Sequence, residues 1–209
     1  MQGTKRIAMS LLGAIVLSGF LTGCLTVQLT EPYDETIETE LVQYQKDTAA
    51  FVARMAGESE AGTEKAKFTA PDVRAFYATQ RVVLARLADR AQMLDPEGSC
   101  LPSNVFARSM RAMLNTATTQ IATLNGDGGS VVLTRLESEL SALSDGSGPI
   151  ADGNCTFVML KVVQANHELL AWQHEKKGVL TPANGARWFA LVDDAARIAI
   201  KNELIKKNR

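Results

Sequence analysis

The chain has 209 residues, of which 46% are hydrophobic and 22% are charged. Its size and composition are those of one globular domain, and they exclude a disordered or fibrous protein. Aromatic residues make up only 6% of the chain while Ala and Leu are plentiful, which favours helices over strands, and the formal net charge of −1 gives no electrostatic reason to expect nucleic acid as a partner.

Residues 1–23 have the parts of a secretory signal peptide, namely a positive start, an apolar stretch and small residues before a cleavage site. Lys5 and Arg6 supply the charge, and Ile7 to Leu21 supply the apolar stretch. That stretch is shorter than the about 20 apolar residues of a membrane-spanning helix, so we expect it to be removed. The alternative is an uncleaved anchor helix with an incidental cysteine.

The sequence Leu21-Thr22-Gly23-Cys24 ends this segment and resembles the lipobox of bacterial lipoproteins, which is a Leu, two small residues and then Cys. The resemblance implies that a diacylglycerol is joined to the Cys24 sulfur through a thioether, that the chain is cleaved before Cys24, and that the new amino terminus is acylated. Two or more acyl chains hold a protein stably on a membrane. We expect no cofactor besides this covalent lipid.

Residues 24–33 form the lipidated amino terminus and a short tether, whose stretch from Leu25 to Tyr33 spans about 30 Å at most when fully extended. In lipoproteins of enteric-type bacteria, an Asp directly after the lipidated Cys favours retention in the inner membrane. Because Leu25 stands there, the resemblance implies an outer-membrane address facing the periplasm. We therefore expect a periplasmic domain, residues 34–209, that acts close to that membrane.

The first two helices follow the tether directly. The first is predicted over 34–56 with Asp34 as its N-cap, and a polar loop over 57–68 follows. Thr69-Ala70-Pro71-Asp72 predicts the start of the second helix, with a hydroxyl cap, an early Pro and an acidic first turn, and this helix ends near Asp95-Pro96. The predicted apolar faces are Ile37, Leu41, Tyr44, Phe51 and Met55 in the first helix, and Val73, Phe76, Tyr77, Leu84, Leu87, Ala91 and Leu94 in the second.

Two further helices are predicted in the middle of the chain. Ser103 caps a third helix, which ends at the Gly-rich stretch after Asn125, and a short helix follows over about 130–143. The segment 144–154 is rich in Gly, Asp and Ser, which is typical of a loop. The apolar faces are Phe106, Met110, Met113, Ala117, Ile121 and Leu124 in the third helix, and Val132, Leu136, Leu140 and Leu143 in the short one.

The last third of the chain predicts two long helices. One covers 155–177 and is apolar nearly all round at 157–163, which indicates a central position, and Gly178 ends it. Thr181-Pro182 begins the other, and a basic carboxyl end suits the negative end of its helix dipole. The residues expected inside the last helix are Trp188, Leu191, Val192, Ala195, Ile198 and Leu204.

These elements predict an all-α fold. Five long helices and one short helix are joined by loops of about 4 to 12 residues, and loops of such length favour antiparallel neighbours in an up-down helical bundle. No repeat of 20 to 50 residues is evident, so the pattern does not favour a solenoid.

Two cysteines remain once Cys24 is lipidated. Cys100 and Cys155 both lie near the start of a predicted helix. Two cysteines in the oxidising periplasm pair more often than they stay free, so we predict a structural disulfide worth about 4 kcal/mol on a chain-entropy model. The alternative is a metal pair, which neither a Cys-x-x-Cys motif nor a neighbouring His supports.

The chain after Cys24 resembles a group of small, uncharacterised bacterial lipoproteins that are predicted to be helical. The shared features are Pro32-Tyr33-Asp34, the second helix around Tyr77, the two Gly-x-Cys elements Gly98-Ser99-Cys100 and Gly153-Asn154-Cys155, and a late helix that carries His167. The resemblance implies a helical domain with a cross-linking disulfide, and it implies no particular activity.

The two histidines of the chain are the most distinctive candidates for chemistry. His167-Glu168-Leu169-Leu170-Ala171 begins like the His-Glu-x-x-His motif of zinc proteases, but Ala171 stands where the second His is required. His174 lies two turns beyond His167, about 10.5 Å along a straight helix, which is too far for both to bind one metal ion. A core or rim position for both imidazoles is the simpler interpretation, and we expect no metal.

Other catalytic and cofactor motifs do not occur in the chain. It has no Gly-x-Ser-x-Gly nucleophile elbow, no Lys-Ser/Thr after its Gly-rich stretch and no Cys-x-x-Cys-His for covalent haem. A haem held by a His and a Met such as Met110 or Met159 stays open. We therefore predict no catalytic residues and no enzyme activity.

Two hypotheses of function follow from these observations. The first is a non-enzymatic module, anchored in the outer membrane, that binds an envelope protein or supports the envelope. The alternative is a helical carrier of a small ligand, a metal or haem, which would use the interior near His167, Trp172 and His174.

Overall fold

The computed structural model describes residues 32–95 and 154–208, together with six isolated positions between them. Four long helices occupy this part: α1 over Glu35–Glu60, α2 over Pro71–Leu94, α3 over Cys155–Lys177 and α4 over Pro182–Lys207. A short 3-10 turn, Glu64–Ala66, lies between α1 and α2. The described residues contain no strand, only an isolated bridge from Lys67 to Val179. The all-α class is therefore confirmed.

Several predicted elements lie outside the described residues. These are the signal peptide, Cys24 and most of the tether, together with the predicted third helix and the predicted short helix. Six isolated positions within the last two are described, and all six are helical and exposed. They are Ala112, Asn115, Thr116, Thr119, Thr134 and Ser138.

The start of α1 agrees with the sequence and its end does not. The Asp34 carboxylate accepts hydrogen bonds from the backbone N–H of Thr36 (2.8 Å) and Ile37 (3.1 Å), which makes it the predicted N-cap. The helix continues through Gly57 to Glu60, so the predicted loop begins too early. The chain turns instead at Gly62, whose φ of +66° lies in the left-handed region that favours glycine.

The predicted hydroxyl cap of α2 is wrong. The N-cap residue is Ala70, one position after Thr69, and its side chain makes no capping hydrogen bond. Pro71 occupies the first turn, where its missing N–H leaves one donor fewer to satisfy. Asp72 in the same turn forms an ion pair with Arg54 of α1 (2.9 Å), which supplies the negative charge that a helix start favours.

The boundaries of α3 and α4 agree with the sequence. The Asn154 side chain caps α3 by accepting from the backbone N–H of Phe157 (2.8 Å), and Gly178, with a φ of +77°, ends this helix. Thr181 caps α4 by accepting from the N–H of Asn184 (3.3 Å). Most residues of α3 are buried, so the predicted central position of this helix is confirmed.

Consecutive helices run in opposite directions. The first turns of α1 and α3 meet the last turns of α2 and α4 at one end, which we call the Asp34 end. At the opposite end, the N–H of Phe68 donates to the carbonyl of Gly178 (2.9 Å). Helix α4 packs against both α1 and α3, and α3 packs against α2. Between α1 and α2, the rings of Phe51 and Phe76 stack at 3.8 Å between centroids, and ion pairs such as Arg86 with Glu40 also join the two helices.

Two residues predicted to lie inside are exposed. Leu94 is 40% exposed and Leu204 is 39% exposed. Both lie at the carboxyl ends of their helices, at the Asp34 end, where fewer neighbouring helices remain to cover them. The other predicted interior residues of the four helices are buried or partly buried. None of the described helices has a stretch long and apolar enough to cross a bilayer.

Candidate functional site

The two histidines lie in the core between α1, α2 and α3. His167 and His174 both belong to α3, and both are 0% exposed. Tyr44 of α1 and Tyr77 of α2 reach them from the neighbouring helices. We call these four side chains the His–Tyr cluster.

Both ring nitrogens of His167 have hydrogen-bond partners. Nδ1 lies 3.2 Å from the hydroxyl of Tyr44, and Nε2 lies 3.1 Å from the backbone carbonyl oxygen of Tyr77. Because a carbonyl can only accept, Nε2 carries the proton, and the Tyr44 hydroxyl donates to Nδ1. The hydrogen bonds therefore define one neutral tautomer of His167.

His174 repeats this arrangement two turns further along α3. Its Nδ1 lies 3.1 Å from the hydroxyl of Tyr77, and its Nε2 lies 2.8 Å from the carbonyl oxygen of Ala66. Tyr77 thus contacts both histidines, through its carbonyl to His167 and through its hydroxyl to His174. Since Ala66 belongs to the turn between α1 and α2, the second imidazole also holds that turn against α3.

Aromatic rings surround the His–Tyr cluster. Phe51 stacks on Phe76, and the ring of Tyr77 meets Phe51 edge-on at 5.2 Å between centroids. Phe68 meets the ring of His174 edge-on at 5.6 Å. Edge-on and stacked contacts of this kind contribute about 0.5–1.5 kcal/mol each beyond the burial of apolar area.

Burial governs the protonation of the cluster. It lowers the pKa of His167 and of His174, because a positive imidazolium would have to leave water. The negative charge of Glu168 and the Tyr77 carbonyl oppose this effect only in part at His167, and the Ala66 carbonyl does so at His174. Burial also raises the pKa of the Tyr44 and Tyr77 hydroxyls well above their ordinary value. All four groups are therefore neutral near pH 7.

This geometry bears on the predicted ligand residues. A metal or haem iron could bind either Nδ1 only after the tyrosine hydroxyl that donates to it had moved away. The third candidate, Trp172, is 8% exposed and lies under the ammonium group of Lys176 (5.4 Å). It makes none of the ring contacts of the cluster. Among the described residues, no three His, Cys, Asp or Glu side chains are grouped so that they could hold a metal ion.

A second buried polar cluster lies at the Asp34 end, and sequence reasoning missed it. Its centre is Glu203 of α4, which is 0% exposed. The carboxylate accepts from the backbone N–H of Asp34 (3.2 Å), from the hydroxyl of Thr156 (2.5 Å) and from the ammonium of Lys206 (2.8 Å). Glu203 follows the buried face of α4 at Ala195, Ala196 and Ala199, and this spacing is the signal that could have identified it.

Asp34 connects the start of α1 both to Glu203 and to α2. The second oxygen of its carboxylate accepts from the guanidinium of Arg90 in α2 (2.8 Å). Burial acts to raise the pKa of Asp34, but hydrogen bonds from Ile37, Arg90 and Thr36 outweigh it and hold the pKa below its usual value. The side chain that begins α1 therefore also connects α1 to α2, while its backbone N–H connects α1 to α4.

The predicted cysteine sites are only partly described. Cys155 is the first residue of α3 and is buried. Its predicted partner Cys100 and the predicted lipid site Cys24 lie outside the described residues. The disulfide and the lipid therefore stay predictions. Comparison with protein families, with curated proteins and with solved structures finds no match to this chain.

Proposed function

We propose that this protein is a bacterial lipoprotein, anchored through Cys24, whose helical domain is a non-enzymatic interaction or support module at the periplasmic face of the outer membrane. The signal-like segment 1–23 and the sequence Leu21-Thr22-Gly23-Cys24 support this proposal. In the same proposal, the region 96–153 adds a fifth long helix and a short one to the four described helices, and Cys100 pairs with Cys155.

The observation that best supports the proposal is that the helical domain is fixed from Asp34 onward. The chain is already held at Asp34, whose backbone N–H and carboxylate contact Glu203 and Arg90. Only the residues after Cys24 and before Asp34 remain as a tether, which reaches about 30 Å when extended. A lipid on Cys24 would therefore hold one defined end of the helical domain near the membrane.

The test is to replace the sulfur that would carry the lipid. Cys24→Ser is expected to abolish incorporation of a labelled fatty acid and to block cleavage before residue 24, so that the chain keeps residues 1–23. Cys155→Ser is the matched control, since it removes a sulfur from the same chain and should leave the acyl label in place. Unchanged acyl labelling or unchanged processing of Cys24→Ser would refute the anchor.

A partner of the anchored domain is tested separately. Photo-crosslinking in intact cells from exposed positions of the described helices, such as Val82 and Lys201, is expected to trap one specific envelope protein. Crosslinks to no protein above the background of an unrelated lipoprotein would contradict the interaction role and leave the anchor unaffected.

A further inference from the structure

Exposed apolar side chains concentrate at one end of the helical domain. Five large apolar side chains are exposed in the part of the chain that the structure describes, and four of them lie at the carboxyl ends of α2 and α4. These four are Met93 (78% exposed), Leu94 (40%), Leu204 (39%) and Ile205 (40%). The fifth, Val82, lies in the middle of α2.

All four side chains belong to the Asp34 end, where the described chain begins. Leu94 lines the same shallow depression as Pro32 and Lys206. Leu204 and Ile205 directly follow Glu203, whose carboxylate accepts from the N–H of Asp34. We call Met93, Leu94, Leu204 and Ile205 the apolar end patch.

Three basic side chains around the patch are paired with acidic ones. Arg90 contacts Asp34 (2.8 Å), Lys206 contacts Glu203 (2.8 Å) and Lys207 contacts Glu38 (3.3 Å). A surface with balanced charge has no strong attraction to anions. A surface or partner that binds the Asp34 end is therefore held by contacts with the apolar end patch and not by net charge.

Tyr33 adds an amphipathic group beside the patch. Its hydroxyl donates to Glu38 (2.6 Å), and the ammonium of Lys207 lies 5.2 Å from its ring centroid. Tyrosine and lysine each combine an apolar body with a polar tip, and such side chains suit the boundary between hydrocarbon and water.

The short tether before Pro32 limits how far the patch can lie from the membrane. Seven residues, 25–31, lie between the proposed lipid site Cys24 and Pro32, and the eight residue steps from Cys24 to Pro32 span about 28 Å at most. The patch lies at the end of the domain where this tether joins the helices. A bilayer that holds the lipid on Cys24 is therefore within reach of Met93, Leu94, Leu204 and Ile205, and the region 96–153, which leaves and rejoins the described helices at the same end, is the other occupant that the experiment distinguishes.

We infer that the Asp34 end docks on the bilayer surface, with the apolar end patch inserted among the lipid headgroups of the leaflet that carries the anchor. This inference rests on the proposed lipid anchor and adds an orientation to it. The helices stand with the His–Tyr cluster above the membrane, and the opposite end points into the periplasm.

Tryptophan substitution tests the orientation in the lipidated full-length protein. Met93→Trp and Leu204→Trp place a fluorescent side chain in the patch, and Val82→Trp is the matched control on the exposed middle of α2. The proteins are reconstituted in vesicles of phosphatidylethanolamine and phosphatidylglycerol with brominated acyl chains. The emission of Trp172 and Trp188 is subtracted with the unsubstituted protein.

The expected result is emission that is blue-shifted and quenched by bromine for Met93→Trp and Leu204→Trp, and unchanged for Val82→Trp. Raising the salt concentration should not reverse the quenching, because the contact is apolar. Protein that floats with the vesicles while neither patch variant is quenched would overturn the orientation and leave the anchor standing.

The remaining outcomes also separate the two proposals. A blue shift without quenching by bromine would mean that protein covers the patch, and it would overturn the membrane contact. Failure of every variant to float, with an unmodified Cys24 thiol in the mass spectrum, would refute the anchor and with it the docking that depends on it.

Discussion

Tyr77 makes two different contacts with α3 from one position. Its carbonyl oxygen accepts from Nε2 of His167 and its hydroxyl donates to Nδ1 of His174, two residues that are separated by two helical turns. A buried imidazole nitrogen without a partner costs the free energy of its lost hydration. The Tyr77 hydroxyl therefore contributes to the free energy of unfolding mainly because its removal would leave Nδ1 of His174 without a donor.

Tyr77→Phe is expected to lower the free energy of unfolding by about 1–3 kcal/mol, because it leaves the buried Nδ1 of His174 without a donor. Tyr44→Phe should have an effect of the same size through Nδ1 of His167. Urea unfolding followed by far-ultraviolet circular dichroism measures both changes, since the domain is helical.

The third tyrosine of the chain is the matched control. The hydroxyl of Tyr33 contacts Glu38 at the surface, so Tyr33→Phe should change the free energy of unfolding by less than about 0.5 kcal/mol. A loss in Tyr77→Phe no larger than that in Tyr33→Phe would show that the hydrogen bonds of the His–Tyr cluster contribute little.

The sequence predicted those helix starts and ends that are determined by a few neighbouring residues. The N-cap Asp34, the start of the last helix at Thr181-Pro182 and the stop at Gly178 were predicted correctly, because a helix start or a left-handed glycine is determined within a few residues. The exposure of Leu94 and Leu204 was not predictable in this way. The apolar period continues through both positions, and only the place where the neighbouring helices end decides that the described helices leave them exposed.

Packing between α1 and α4 depends on a glycine that local propensity disfavours. Gly185 is buried in α4, and a methyl group added there would lie 3.0 Å from Cγ1 of Val52 in α1. Gly57, near the end of α1, has no atom within 4 Å of such a methyl group. The two helical glycines therefore differ in the space around them.

Alanine substitutions at these two glycines are expected to have opposite signs. Gly57→Ala should stabilise the protein by about 0.5–1 kcal/mol, through helix propensity alone. Gly185→Ala gains the same propensity but presses on the stiff side chain of Val52, so overpacking should produce a net loss of about 1 kcal/mol. Thermal unfolding of both variants measures the signs, and a stabilising Gly185→Ala would mean that α1 and α4 separate without cost.

Across the whole molecule, the sequence indicated a core or rim position for His167 and His174 but could not name their partners. Tyr44 is 123 residues from His167, and Ala66 is 108 residues from His174. Helical periodicity in the sequence can place an imidazole on the apolar face of α3. The tyrosine hydroxyls and backbone carbonyls that bond to it come from α1, α2 and the turn between them, so they depend on how these elements pack against that face. The spacing of α4 could have indicated that Glu203 is buried, but not its partners Asp34 and Thr156, which belong to the start of α1 and to α3.

The two imidazoles make the stability of the whole domain depend on pH. Their pKa values are lowered in the folded state, whereas in the unfolded chain they have the ordinary value near 6.5. Below about pH 6.5 the unfolded chain therefore binds more protons than the folded one. The stability that the neutral imidazoles maintain is present above that pH and is lost as the pH falls, by up to about 1.4 kcal/mol per pH unit for each imidazole.

The window between about pH 5 and 6.5 isolates this effect. The pKa of Asp34 is also lowered, and its contribution is lost in the same direction but only near and below the ordinary aspartate value of about 3.9. Urea midpoints should therefore be constant from pH 8 to 7 and should fall steadily between pH 6.5 and 5, before the Asp34 carboxylate is protonated.

The protonation states themselves can be observed in the folded protein without any substitution. The chain contains only two histidines, so its proton NMR spectrum has two imidazole Cε1–H signals. Because burial lowers the pKa of both imidazoles, both signals are expected to titrate below pH 6.5, the ordinary midpoint of an imidazole in water. A signal that titrates near pH 6.5 would show that its imidazole reaches water, and it would remove that histidine from the pH dependence of folding. If both titrate, the acid sensitivity of the fold must come from groups outside the His–Tyr cluster.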